Sequence, residues 1–212
     1  MGAIELLMLD LDGTLVDTLS ANYAADCRII RDLGGAVPSL DEYRSNPYRG
    51  NWDDFYAFFG VRDHVSALSR FYREVDHENL VMIPHVDRTI REISALPMGM
   101  IVISMTKDKG KIKRKLRSSG LHSFFPDESL VAVASTKSPA FIALARERGI
   151  PPKKMLYVGD TARDVEDSRT AGVKIAVVAN QYSFNPVEML RASCPDYFLE
   201  RFEDLKYVLR GA

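Results

Sequence analysis

Four apolar residues in succession, Leu6-Leu7-Met8-Leu9, run straight into Asp10-Leu11-Asp12-Gly13-Thr14-Leu15, and this junction constrains the chain more than any other stretch of it. A short apolar run closed by a glycine-containing turn predicts a buried strand. Carboxylates at the carboxyl end of such a strand stand where open α/β sheets bind their ligands. Extended backbone alternates its side chains, so Asp10 and Asp12 fall on one side with apolar Leu11 between them. Two like charges so close coexist only with a cation or a shared proton. Taken alone, the pair is equally compatible with two solvated loop acids.

The rest of the chain supplies partners. Met155-Leu156-Tyr157-Val158 is a second apolar strand pattern, and it ends in Gly159-Asp160-Thr161-Ala162-Arg163-Asp164. A helix-like stretch follows and stops at Gly172. This places a second carboxylate cluster at a strand end, beside a glycine that lets backbone approach closely. Met100-Ile101-Val102-Ile103 is a third strand and ends in Ser104. Thr136-Lys137-Ser138-Pro139 reads as a turn opening a helix, with Ser138 as N-cap and Pro139 at the first helical position. Carboxylates, a hydroxyl and a lysine, each following its own strand, describe a site.

Strand-like runs at 5–10, 99–104, 130–134, 155–159 and 174–179 alternate with helical stretches. That alternation predicts an α/β fold, a parallel sheet wrapped by helices. Between the first two runs, residues 16–82 hold no convincing strand and read as helical throughout. Ser39-Leu40-Asp41-Glu42 has capping-box spacing, so a short helix is expected there. Val65, Leu68, Phe71, Tyr72 and Val75 recur at helical spacing and predict one apolar face. Trp52, Phe55, Phe58 and Phe59 are expected to pack inside this helical interval.

In this order the motifs resemble those of the haloacid dehalogenase-like hydrolases, most closely the branch of phosphoglycolate-phosphatase type, and the likeness spans almost the whole chain. The family's first motif falls on Leu9 to Thr14 and its fourth on Gly159, Asp160 and Asp164. Its second falls on Ser104, with Thr106 as the alternative register, and its third on Lys137. The resemblance implies a Rossmann-like core at 1–15 and 83–212, with 16–82 as an inserted all-helical cap. One departure is the Lys137-Ser138-Pro139-Ala140 sequence, where relatives usually carry a lysine followed by proline.

The expected activity is hydrolysis of a small phosphorylated metabolite. Phosphoryl transfer needs charge neutralisation and in-line positioning above all. Asp10, straight off the strand, is the expected nucleophile, forming an aspartyl-phosphate. Asp12 is then the general acid for the leaving oxygen and the general base for water. Mg²⁺ takes oxygen ligands, and Asp10, Asp160 and the Asp12 backbone carbonyl suit it, with Asp164 further out. Ser104 would bind a phosphate oxygen, and Lys137 would neutralise charge. In the cap, Arg44 or Arg49 is a candidate to hold a substrate carboxylate or second phosphate bidentately.

Several neighbouring activities fit less well. No lysine occurs between Asp17 and Thr106, which argues against the Schiff-base chemistry of phosphonoacetaldehyde hydrolases. Asp12 argues against dehalogenation, and the absence of histidine from Asp17 to Tyr23 tilts away from a phosphomutase. A non-catalytic phospho-ligand-binding protein on the same scaffold would be expected to have lost Asp10 or Asp12.

Net charge is −1, so nothing global points to nucleic acid or an anionic membrane. No apolar run approaches a membrane span in length. Cys27 and Cys194 are too few and too far apart in sequence for a disulfide framework or zinc site, which fits a reducing, cytoplasmic setting. The basic run from Lys107 to Arg117 contains Ile112 and Leu116, one helical turn apart, and reads as a helix with its charged faces in solvent.

Overall fold

The computed structural model describes residues 3–47, 51–75 and 79–211. In chain order, β1 (Leu6–Leu9) and β2 (Val16–Asp17) precede four helices: α1 (Leu19–Asp32), α2 (Leu40–Ser45), α3 (Trp52–Phe58) and α4 (His64–Glu74). There follow β3 (Val81–Met82), α5 (Val86–Ile93), β4 (Gly99–Met105), α6 (Lys109–Ser118), β5 (Leu130–Val133) and α7 (Ser138–Arg148). The chain ends with β6 (Met155–Gly159), α8 (Ala162–Ala171), β7 (Lys174–Val178), α9 (Val187–Ala192), β8 (Tyr197–Leu199) and α10 (Leu205–Gly211).

The main sheet runs β5-β4-β1-β6-β7-β8 with every pairing parallel. β1 is central, with Leu9 level with Val102 of β4 and Val158 of β6. The chain passes from β1 to β4 and β5 on one side and then crosses to β6, β7 and β8 on the other, so the carboxyl end of β1 is the switch point at which such sheets open a crevice. Alternation along the strands divides their side chains between two cores. Leu7, Leu9, Val102 and Val158 pack with Ile90, Ile112 and Leu116 on one face. Leu6, Met8, Ile103 and Tyr157 pack with Phe141, Val165 and Leu190 on the other. Strands buried on both faces need such continuous apolar runs. β1, β4, β5, β6 and β7 occupy the expected runs; β8 has no expected counterpart, being too short at three residues for a periodic signal.

The four helices after β2 gather around an apolar core of their own, including Ile29, Tyr43, Phe55, Tyr56, Phe59 and Phe71. At its foot β2 and β3 pair antiparallel, Val16 opposite Met82 and Asp17 opposite Val81. The two chain crossings are thereby held side by side. The Ser39–Glu42 capping box forms as expected at α2. Two packing expectations fail here. Phe58 is 55% exposed, because α3 is only two turns long and turns that residue outward while Phe55 and Phe59 face in. On α4 the buried residues are Ala67 and Phe71, whereas Val65 and Tyr72 are exposed. A small residue, Ala67, lets the neighbouring helices approach, so the packed face is rotated from the one that the larger side chains suggest.

Candidate active site

β1 delivers Asp10 to the crevice, and the turn after it is shaped by Gly13, whose φ is +75°. Asp10 is buried; its Oδ1 accepts the Leu11 N–H at 2.8 Å and its Oδ2 accepts from Lys137 Nζ at 2.7 Å. β6 delivers Asp160, fully buried, which accepts the Phe184 N–H at 2.6 Å and the Thr14 hydroxyl at 3.3 Å. Asp164 lies one turn into α8 and has two tasks. Its Oδ2 accepts the Thr161 N–H and hydroxyl at 3.0 and 2.6 Å, completing a capping box with Thr161. Its Oδ1 accepts from Lys137 Nζ at 2.7 Å.

Lys137 stands at the start of α7, one residue ahead of the expected cap. Lys137, and not Ser138, is the N-cap, because the helix already begins at Ser138; the Lys137 backbone N–H donates to Asp167 Oδ2 at 3.0 Å. Its ammonium is buried and donates to Asp10, Asp164 and the Tyr157 hydroxyl, the last at 2.5 Å. All three ammonium protons are therefore engaged.

Charge in this pocket is strongly perturbed. Burial pushes Asp10 up to about 7, against the pull of Lys137. Burial, together with the charges of Asp10 and Asp164, raises Asp160 well above the usual carboxylate range. Burial also opposes ionisation of Asp164, but Lys137 and Thr161 outweigh it and hold that acid below its ordinary value. Burial alone would lower Lys137, yet Asp10 and Asp164 raise it above the usual value. One carboxylate oxygen from each of Asp10, Asp160 and Asp164 lies within 4.8 Å of the other two. Three buried acids face one ammonium, and Asp160 has no cationic partner among the described residues. An all-oxygen donor set short of positive charge suits a hard divalent cation.

Asp12 sits at the edge of the pocket, 26% exposed at its side chain. Ser104, at the end of β4, donates to its Oδ2 at 3.2 Å. The other hydroxyl in that register, Thr106, accepts the Asp108 N–H instead. Lys115 of α6 reaches Asp12 Oδ1 at 2.5 Å and is only 13% exposed. The solvated-face reading of the basic helix thus fails at Lys115. Ile112 and Leu116 are buried as periodicity requires, but periodicity cannot tell which charged row abuts the site.

Arg44 is buried, and its Nη2 donates to the carbonyls of Asn180 and Asn185 at 3.1 and 2.9 Å, tying α2 to the loop after β7. Arg49 lies outside the described residues. The loop after β7 carries residues that the sequence reading leaves without a role. Phe184 donates to Asp160, and Asn185 Oδ1 accepts the Ala162 N–H that opens α8. Their one sequence signal is position, since they follow a parallel strand at its carboxyl end. Asp167, which also accepts from the Thr136 hydroxyl, is likewise brought in by the fold.

Comparison with known proteins agrees with this geometry. Residues 7–178 match the model of the haloacid dehalogenase-like hydrolases. A phosphoglycolate phosphatase of Synechococcus elongatus is 26% identical over 205 residues, covering 95% of each chain. Among solved structures, a haloacid dehalogenase-like protein of unknown function from Agrobacterium tumefaciens superposes with a TM-score of 0.82 at 17% identity, covering 98% of both chains. A predicted phosphoglycolate phosphatase from Haemophilus somnus gives a TM-score of 0.77 at 23% identity, covering 98% of this chain and 99% of that one. With the motif acids, the six-stranded parallel sheet and the family match in agreement, this chain belongs to the haloacid dehalogenase-like hydrolases.

Proposed function

We propose that the protein is a Mg²⁺-dependent phosphatase that hydrolyses a small phosphorylated metabolite through an aspartyl-phosphate on Asp10. The observation that carries this reading is the meeting of three buried carboxylates with one lysine at the carboxyl end of the central strand. The family membership and the relatives named phosphoglycolate phosphatase support it, and phosphoglycolate is accordingly the first ester to try.

In this account Asp10 and Asp160 hold the cation with the Asp12 backbone carbonyl, and Asp164 orders the group from outside. Bound Mg²⁺ supplies positive charge to the phosphoryl oxygens. Asp10 attacks phosphorus as the bond to the leaving oxygen breaks, and Asp12 gives that oxygen its proton. Asp12 then takes a proton from water as the water attacks the phosphoryl group, releasing inorganic phosphate and restoring Asp10. Lys137, locked by its three partners, holds the Asp10 carboxylate in one orientation and offsets its charge. Ser104 orients Asp12 through its hydrogen bond and would bind a phosphate oxygen.

Residues 16–82 serve as a cap over a core of 1–15 and 83–212. Their separate apolar core and the β2–β3 stem support that division. Arg44, on this reading, fastens the cap to the loop that holds Asp160. The test is inorganic phosphate release from a panel of phosphorylated metabolites, with Mg²⁺ and with EDTA. Metal-dependent release is expected. Release indifferent to EDTA, or phosphate moving between positions of a sugar without release, would contradict the proposal.

A further inference from the structure

α6 and the turn that leads into it carry two rows of lysines with different surroundings. Lys109 and Lys113 turn to Asp127, the first donating to its carbonyl at 3.2 Å and the second paired with its carboxylate. Lys107, Lys111 and Lys115 recur every fourth residue and line a cavity of about 500 Å³ between α6 and the helices α3 and α4. Trp52, Phe71 and Tyr72 form its far wall, and Lys111 Nζ lies 4.9 Å from the centre of the Tyr72 ring. Neither Lys107 nor Lys111 has a carboxylate partner among the described residues. Asp12 and Met105 line both this cavity and the one that holds Asp10, Asp160 and Lys137, so the two spaces adjoin at Asp12.

We propose that this second cavity receives the leaving portion of the substrate, and that it selects leaving portions of sugar size carrying a second anionic group. The inference rests on the phosphatase reading and deepens it. A group that protonates the leaving oxygen must touch it, so what departs from phosphorus lies on the far side of Asp12, against Lys115. Beyond Lys115 it meets Lys107 and Lys111, which have no carboxylate partner among the described residues. A hydroxyl oxygen offers those ammonium groups only a neutral acceptor in place of water, whereas a carboxylate or phosphate gains charge-assisted hydrogen bonds of about twice the strength. The volume is in the range of small-molecule sites and far exceeds a two-carbon acid. The rings of Trp52 and Tyr72 offer a flat apolar wall against which one face of a sugar can lie.

The experiment compares kcat/KM within matched pairs: 6-phosphogluconate against glucose 6-phosphate for a carboxylate, and fructose 1,6-bisphosphate against fructose 6-phosphate for a phosphate. The more anionic member of at least one pair should be favoured about tenfold or more, and which pair responds identifies the second anion. The Lys107→Gln/Lys111→Gln protein should bring that ratio close to unity, chiefly through KM, while Lys113→Gln on the opposite row should preserve it. Equal kcat/KM within both pairs, or a ratio untouched by the double substitution, would overturn the subsite. If no ester is hydrolysed the phosphatase reading fails by itself. Calorimetric affinities for the same pairs then decide the subsite, with the same ratio expected and equal affinities overturning it.

Discussion

Gly13 has a φ of +75°, and a Cβ there would come within 2.3 Å of Asp160 Oδ2. Gly159 is crowded in the same way, its missing Cβ falling 2.6 Å from Asp164 Oδ2. These two positions let backbone pass directly behind the carboxylates, so the acids can be buried yet still converge. Gly13→Ala should therefore displace the Asp160 carboxylate as well as strain the turn. We expect phosphate release to fall by roughly a hundredfold or more while circular dichroism stays native. Near-normal turnover in the substituted protein would show that the turn tolerates a methyl group and that Asp160 need not sit where it does. Asp10 and Asp160 were legible in the sequence because each directly follows an apolar strand, and Asp12, Lys137 and Asp164 because each stands in the turn or helix start that comes after one. Lys115, Asp167, Phe184 and Asn185 were not, since each meets its partner only through packing between elements distant in the chain.

Among the elements, the helical insert is organised around a buried acid. Asp26 of α1 accepts the hydroxyl of Tyr43 from α2 at 2.6 Å and that of Tyr56 from α3 at 2.7 Å. Burial and the neighbouring Asp26 push Tyr56 well above its ordinary pKa, so it remains a neutral donor. Tyr56→Phe leaves the ring packing in place but removes one donor from a fully buried carboxylate. The expected loss is about 2 kcal/mol in urea unfolding, and a loss indistinguishable from zero would mean that Asp26 is satisfied without it. Nothing in the sequence near Asp26 announces this junction, because its partners come from two other helices. Parallel strands were easier to read, since burial on both faces leaves unbroken apolar runs such as Leu6 to Leu9. The amphipathic α4 misled because Val65 and Tyr72 look like core residues, while the contact is made by small Ala67.

For the whole molecule, the crowded acids make metal binding and protonation compete. Asp10, raised to about 7, and Asp160, raised further above its usual range, retain protons in mild acid that a ligated cation must displace. Without metal, ionising Asp10 is penalised only in the folded chain, so stability should decline as the pH rises from its ordinary 3.8 toward about 7. Millimolar Mg²⁺ should restore that loss where the acids are ionised, raising the unfolding temperature more at about pH 8 than at about pH 5.5. A shift equal at both pH values, or none at either, would disconnect the carboxylate cluster from metal binding. The fold thus makes one crevice in which two strand ends and two helix starts supply the charged groups, while the loop after β7 donates a backbone N–H to Asp160.

The most direct test of the account is phosphate release by Asp10→Asn beside the unsubstituted protein, in Mg²⁺, on whichever ester the unsubstituted protein hydrolyses best. The substitution keeps the size of the side chain and removes the proposed nucleophile, and release should fall by roughly a thousandfold or more. Turnover that survives the substitution would mean that the phosphoryl group never passes through Asp10.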